Sequence, residues 1–541
     1  MTQHGTTRRS FLGNVAGAGG IVAATGLAGA PATAAPSTRS GFPVPDAVTV
    51  GRTDPRYVDL VNRGYNRRFV ASPDAVHVVH SAAQVADVLR QAVPAGKRIV
   101  VRSGGHCFED LVDNPSVDAI IDVSEMTAVY YDESRKAIAV EAGATLGKVY
   151  RSLFLNWGAT LPGGICPTVG VGGHVAGGGY GPLSRRYGLT VDHLYAVEVV
   201  TVRADGTPRT VIATAQPGDP NRELWWAHTG AGGGTFGVVT RYWFRTPGAT
   251  RAAVPLPSAP AAMLSTKASW SWEHLTEADF TRLVRNHGAW NAANSGPSAP
   301  ALHSGLHLMQ KIAQPGYVNS IDLSVEIDAA TPGAADIVDR YIAAVGEGVS
   351  VTPTVVRNTV PWLKYVTSYE TDPGAYNRIK NKSAYLRKPY TDEQIAVLYG
   401  HLSGPLTGGG FLLVLLYSYG GRINQVPSEA TAAPQRDSIM KAWWAQYWAD
   451  PSVDELNVDA IRRTYRQVYA ATGGVPAPDD RNDGCYINYP DVDLADPAWN
   501  TSGISAPALY HRAGYPRLQG IKARWDPRDV FRHQVSVKLP G

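Results

Sequence analysis

Apolar positions between residues 50 and 245 fall into two rhythms. Short runs at VHVVH (76–80), RIVVR (98–102), AIIDV (119–123), AVYYD (128–132) and AIAVEAG (137–143) read as strands, and LYAVEVVTVRADGTPRTVIA (194–213) reads as a hairpin over Asp205-Gly206. Helical spacing marks AAQVADVLRQAV, which a capping box of Ser81 and Gln84 opens and Gly96 closes, and LGKVYRSLFLNWG, which ends at Gly158. The first helix lies between two strands, so residues 76–102 form a β-α-β unit whose second strand runs into the glycine loop SGGHCFED. A further glycine loop, GAGGGTFG, feeds the strand ending at Arg245.

Composition changes in the Pro/Ala-rich segment 247–262, which reads as a linker. Beyond it come Trp-rich amphipathic stretches, FTRLVRNHGAWNAAN and RDSIMKAWWAQYWAD, and an apolar strand FLLVLLYSYGG (411–421) carrying Tyr417 and Tyr419. This region, to about residue 475, is expected to be a second α+β unit, and no internal repeat is visible.

A chain of 541 residues has material for two domains, and 44% hydrophobic with 18% charged residues describes a loop-rich globular protein. A net charge of +4 without a long Lys/Arg run argues against a nucleic-acid partner. Past the N-terminus no apolar run reaches the roughly 20 residues that span a bilayer, so no membrane partner is expected. The N-terminus itself has Arg8-Arg9, then a Gly/Ala-rich apolar run, then Ala32-Thr33-Ala34, the order of a twin-arginine signal over residues 1–35. Secretion of a folded chain is therefore expected, a route suited to a protein that takes up a bulky cofactor before export. The three cysteines, Cys107, Cys166 and Cys485, permit at most one disulfide.

Two of the candidate chemical groups sit in glycine loops: His106 in RSGGHCF and Cys166 in GGICPTVGVGGHVAGGGYG. A metal site would need further ligands at short spacing, and none is near. A Cys-His nucleophilic pair is conceivable but leaves three glycine loops without a purpose, and either residue alone reads as a buried cysteine or a satisfied histidine. Glycine loops at strand ends suit a diphosphate-bearing cofactor, since bare backbone N–H groups approach phosphate where side chains would collide. VRSGGHCF lacks the G-x-G-x-x-G pattern and a helical continuation, which argues against a Rossmann domain.

From about residue 60 onward the chain resembles the berberine bridge enzyme-like FAD-linked oxidases of the vanillyl-alcohol oxidase superfamily. The likeness rests on RSGGH, GGICPTVGVGGHVAGGGYGPLSRRYGLTVDHL, GGGTFGVVT, and the closing CYINYPDVDL and YPRLQGIKARWDPRDVFRH. It points most to bacterial members that oxidise sugars on polyketide antibiotics. The resemblance implies an α+β fold with a two-part FAD-binding domain, residues 50–245 and 485–541, around a substrate domain with an antiparallel sheet at 246–484. It implies FAD bonded to His106 and Cys166, with further cofactor contacts from Arg102, Ser103, Gly104, Gly105, Gly170, Gly172, Gly173, His174, Gly177, Gly237, Val238 and Asn488. Cys107 and Cys485 are then small apolar residues or a disulfide pair. Tyr489 is implied as the base for a sugar hydroxyl, with Tyr417 across the substrate and Tyr486 orienting; tyrosines packing on a sheet are the alternative. O₂ is the implied electron acceptor, a small glycoside or sugar the substrate, and the chain a monomer or homodimer. An oxidative cyclase or desaturase, an oligosaccharide oxidase and a silent flavin or glycan binder remain as other readings. One departure stands out: Gly514 occupies a position where the family usually has asparagine.

Overall fold

The computed structural model describes residues 43–249, 254–312, 319–368 and 377–541. The segment with Arg8-Arg9, and with it the expected export signal, lies outside them.

Three sheets organise the chain. The first contains β1 (Val48–Gly51), β2 (Ala75–Val78), β3 (Ile99–Arg102) and β4 (Ala119–Asp122) in the order β1-β2-β4-β3. Both β2 and β3 pair in parallel with β4, so the two strands of the expected β-α-β unit are not neighbours. The helix between them, Ala82–Ala92, starts as its sequence predicts, with Ser81 Oγ accepting from the Gln84 N–H at 3.3 Å. The Gln84 side chain reaches one residue further back than a capping box requires, to the His80 N–H at 2.7 Å. Val85, Val88, Leu89 and Ala92 turn its apolar face to the core.

The second sheet is antiparallel, with β5 (Val129–Asp132), β6 (Ala137–Glu141), β7 (Leu194–Val202), β8 (Pro208–Thr214) and β9 (Val238–Phe244) in the order β5-β6-β9-β7-β8. β9 joins two hairpins, and the β7–β8 turn passes through Gly206 at φ 87°. Helix Leu146–Trp157 ends at Gly158 in the left-handed region, as expected.

The third sheet is antiparallel and seven-stranded: β10 (Ala262–Ser271), β11 (His303–Met309), β12 (Ser320–Asp328), β13 (Thr354–Pro361), β14 (Arg378–Leu386), β15 (Phe411–Ser418) and β16 (Met440–Trp448) in the order β13-β10-β12-β11-β15-β16-β14. On one face Leu306, Leu323, Val414 and Trp444 pack with Phe280, Val338, Ile395 and Ile461 of four covering helices. The opposite face is turned to the glycine loops and carries Ser324, Gly305, Tyr417, Lys441 and Tyr385 in one row across five strands. The amphipathic stretch RDSIMKAWWAQYWAD thus holds β16, a buried strand of this sheet. Its Trp444 is fully buried under the helices, and Trp443 stands on the other face. Neighbouring tryptophans satisfy a period of two or of 3.6 equally, so the pattern could not choose between them.

The C-terminus divides between two cores. Cys485, Leu494, Leu509 and Tyr510 pack with the helix-backed sheet, whereas Leu518, Ile521, Trp525, Phe531 and Val537 join the core of residues 79–244. Gly514 lies against the Trp226 ring, 3.4 Å from where a Cβ would stand, and Arg517 stacks on the same indole at 3.8 Å. The indole occupies the space toward which an asparagine there would point. All three cysteines are free, so Cys107 and Cys485 do not pair. Burial pushes both of these thiols up to about 12, and Cys485 Sγ donates to the Ser383 carbonyl at 3.3 Å. Among the described residues no helix is long and apolar enough to cross a membrane.

Candidate active site

β3 ends in Arg102, which is buried and bonds Asp122 at the end of β4 through Nη2 (2.9 Å) and Nε (3.2 Å). Its guanidinium, expected at the cofactor, is turned to this carboxylate and to Asp113 at 3.7 Å; it anchors the root of the loop. Ser103 Oγ then donates to the Ala142 carbonyl at 2.7 Å. A Cβ on Gly104 would stand 2.3 Å from the Gly170 nitrogen, and one on Gly170 would stand 2.1 Å from Ser103 Oγ. The first two glycine loops therefore touch backbone to backbone, and a methyl group at either position forces them apart. Gly170→Ala is expected to cost about 1–3 kcal/mol and to lower flavin incorporation, measured as flavin absorbance per mole of purified protein.

Other glycines have other neighbours. A Cβ on Gly172 would meet the Ala142 carbonyl at 2.9 Å, and one on Gly177 would meet Asn488 Oδ1 at 2.1 Å. Gly237, at φ 155°, lets β9 lie on Val199 and Val200, and Val238 after it is buried. Asn488 Nδ2 donates to the His174 carbonyl (2.9 Å) and to Tyr486 OH (3.0 Å). His174 Nε2 accepts from the Gly164 N–H at 3.2 Å, and burial with the nearby Lys441 pushes it down to about 4, so the ring is a neutral brace. These two side chains hold the second loop in shape.

His106 and Cys166 meet at a third side chain. Thr168 Oγ1 lies 2.8 Å from His106 Nε2 and 3.8 Å from Cys166 Sγ. Tyr65 stacks on the imidazole with ring centroids 5.0 Å apart. Burial pushes His106 down to about 4, leaving it neutral, and raises the Cys166 thiol. Both residues are half-buried while Thr168 is exposed, so the pair looks outward from the head of the loops.

The tyrosines surround a buried lysine. Lys441 Nζ, 1% exposed, stands 3.8 Å from the ring centre of Tyr180, 4.4 Å from Tyr486, 5.0 Å from Tyr489 and 5.8 Å from Tyr417. Among the described residues no carboxylate pairs with it, and burial holds it well below the usual lysine range. Tyr486 is buried and pushed up to about 12, whereas Tyr417 and Tyr489 are half-buried. Phe108 links the two ends of the site, 5.9 Å from Tyr65 and 6.1 Å from Tyr489, and Trp443 lies 5.6 Å from Tyr489.

Behind this wall a balanced ionic network ties the segments together. Lys380 on β14 bonds Glu109, three residues past His106, and Asp491, two past Tyr489, the latter at 2.8 Å. Lys382 bonds Asp491 and Asp493, both at 2.8 Å, and Arg462 bonds Asp493 at 2.6 Å. Burial opposes the charge on Lys380, but its three carboxylates more than offset that and raise it.

The arrangement fits FAD. Within the described residues the backbone N–H groups of Gly104, Gly105 and His106 donate no hydrogen bond, which suits phosphate oxygens. The Cβ side of Gly173 is open space, and a Cβ on Gly233 of the third loop would stand 3.9 Å from the Gly173 Cα. Next to that loop two buried polar atoms, Thr235 Oγ1 and His533 Nδ1, have no partner. Sequence reasoning missed Thr168, Tyr65, Lys441 and His533. Only Thr168, inside the cysteine motif, carried a signal that could have found it.

Comparison with known proteins agrees with this geometry. Residues 73–212 match the FAD binding domain family and residues 485–538 the berberine and berberine-like family. Aclacinomycin-N/aclacinomycin-A oxidase of Streptomyces galilaeus is 54% identical over 99% of both chains. A crystal structure of aclacinomycin oxidoreductase superposes with a TM-score of 0.88 at 54% identity, covering 91% of this chain and 100% of that one. Glycopeptide hexose oxidase DBV29, solved with teicoplanin, gives 0.87 at 45% identity, covering 92% and 100%. Two family matches at the two ends of the chain and a relative this similar over its whole length show that the protein belongs to the berberine bridge enzyme-like FAD-linked oxidases.

Proposed function

We propose that the protein oxidises a hydroxyl group of a sugar carried on a polyketide or related natural product, with FAD attached at two points, His106 and Cys166. The observation that carries this reading is the meeting of His106 and Cys166 at Thr168, beside a half-buried aromatic wall that holds two tyrosines and a lysine. FAD held at His106 and Cys166 would supply the acceptor for the carbinol hydride and the route of both electrons to O₂, with H₂O₂ as the product. Everything else falls to the chain. Tyr489, as its phenolate, takes the hydroxyl proton and becomes a neutral phenol; Lys441, 5.0 Å from its ring centre, favours that phenolate before the step; and Phe108 and Trp443 exclude water from the reacting face. Tyr417, the cross-strand neighbour of Lys441, suits a second proton removal such as a desaturation.

The test is flavin reduction under anaerobic conditions by a panel of glycosylated polyketides, followed by H₂O₂ release on adding air. Aglycones are expected to leave the flavin oxidised. Reduction by aglycones and glycosides alike would overturn the sugar as the site of reaction.

Secretion through the twin-arginine route completes the proposal. Changing Arg8-Arg9 to Lys-Lys is expected to hold flavin-loaded precursor in the cytoplasm. Unchanged secretion, measured by immunoblot of medium and cells, would mean that another signal directs export.

A further inference from the structure

Along β12 the residues alternate strictly between two environments. Ile321, Leu323, Val325 and Ile327 are buried in the helix-backed core. Asp322, Ser324, Glu326 and Asp328 point the other way, onto the face that carries Tyr417 and Lys441. Three of these four have partners there. Asp322 takes Lys267 at 3.4 Å and Ser320 Oγ at 2.7 Å, Ser324 Oγ is bonded to His307 Nε2 at 3.0 Å, and Asp328 pairs with Arg186. Glu326 is the exception: among the described residues its half-buried carboxyl meets no cation and no hydrogen-bond donor.

Its neighbours cannot supply the missing charge. Across the sheet Glu326 is paired with His303 on β11 and with Ser265 on β10. Burial pushes His303 down to about 3, so its ring is neutral. Tyr180, Tyr341 of the helix Ala334–Val345, and Tyr365 of the helix Trp362–Thr367 are the other titratable groups that feel Glu326. All three are acids, their phenols raised by burial first and by Glu326 in part. With nothing to offset its own desolvation, the Glu326 carboxyl is pushed up to about 8. A carboxyl in that position is neutralised either by a proton or by a positive charge brought from outside.

The register says how far that charge would be from the chemistry. The His303 ring stacks on Tyr417 with centroids 5.8 Å apart and planes at 20°. Tyr417 is on β15 and Glu326 on β12, two strand steps away through β11 and two residues along it, or about 12 Å. That is the span from a reacting sugar hydroxyl to a substituent on the next sugar.

We infer that Glu326 is a recognition site for a protonated amino group of the glycoside, carried on the sugar next to the one that is oxidised. This rests on the reading of the protein as a glycoside oxidase and specifies its substrate as cationic. Tyr417 and its neighbours face the reacting sugar, and the carboxylate, ionised once the ammonium arrives, holds the following one.

The experiment uses the flavin-loaded enzyme and two matched glycosides with the same aglycone and the same terminal sugar. One carries a free amino sugar next to the terminal residue and the other its N-acetyl form. For the wild type KM for the amine is expected to be about ten- to a hundredfold lower, the range of a charge-assisted hydrogen bond. Glu326→Gln, which keeps the side-chain shape and removes a poorly solvated acid, is expected to raise KM for the amine by that factor. It is expected to leave KM for the N-acetyl glycoside, the limiting rate of anaerobic flavin reduction and the melting temperature unchanged. Glu326→Asp should recover part of the preference. Equal KM values for the two glycosides in the wild type, or an unchanged preference in Glu326→Gln, would overturn the assignment while leaving glycoside oxidation intact. Failure of both glycosides to reduce the wild-type flavin would instead remove the oxidase reading, and this inference with it.

Discussion

His106→Ala/Cys166→Ala protein, precipitated with acid, is expected to leave all of its flavin in the supernatant, whereas the wild type and each single variant keep theirs in the pellet. The two side chains approach one hydroxyl, Thr168 Oγ1, from different loops, so removing one leaves the other in place. The contact between those loops is made by Gly104 and Gly170, which neither substitution touches. The two links should differ in their response to pH. His106 is pushed down to about 4 by burial, so at pH 7 its ring is in the neutral form that attachment to the flavin would require. Cys166 reacts as thiolate, and burial raises its thiol, the Thr168 hydroxyl opposing only in part. In His106→Ala, where only the cysteine remains, flavin attachment should therefore quicken as pH rises. Flavin recovered free from the wild type, or from both single variants, would refute attachment at two points.

Tyr489→Phe is expected to slow flavin reduction by substrate about 10²–10⁴-fold, the usual contribution of a general base. The phenyl ring keeps its packing against Trp443 and Phe108, so covalent flavin and melting temperature should be unchanged. Tyr486→Phe removes a hydroxyl that is buried, pushed up to about 12 and bonded by Asn488, and should do less to the reaction. Tyr417→Phe should spare a first alcohol oxidation and impair a second step on the opposite side. Lys441→Met deletes a buried amine that faces all four rings; burial disfavours its charge and a phenolate beside it restores that charge, so a loss of about tenfold is expected when this pairing is removed. Anaerobic stopped-flow reduction separates these cases because it excludes the oxygen step. A wild-type rate in Tyr489→Phe with a slow Tyr417→Phe would move the base to Tyr417.

Much of this site was legible along the chain. Ser81 at the start of one helix, Gly158 at the end of another and Asp205-Gly206 at a hairpin act on neighbours within a few residues, so local sequence decided them. The glycine loops and the cysteine and histidine in them are motifs of the same short range. FLLVLLYSYGG declared itself a strand because its apolar run is bounded by glycines. Beyond that range the sequence was silent. That β4 enters between β2 and β3 depends on which edges are open when the sheet assembles. The same holds for RDSIMKAWWAQYWAD, which becomes a strand because β14 and β15 flank it on either side. Neither the freedom of Cys485 nor the indole of Trp226 against Gly514 follows from spacing, since both partners are far away in sequence. Lys441 and Glu326 show the limit most plainly, for each is an ordinary charged residue until tertiary packing strips its water. Desolvation is a property of everything within several ångströms, drawn from segments hundreds of residues apart. The chain alone therefore determined the caps, turns and glycine loops, and only the folded structure decided which titratable groups, among the described residues, are buried without a counter-charge.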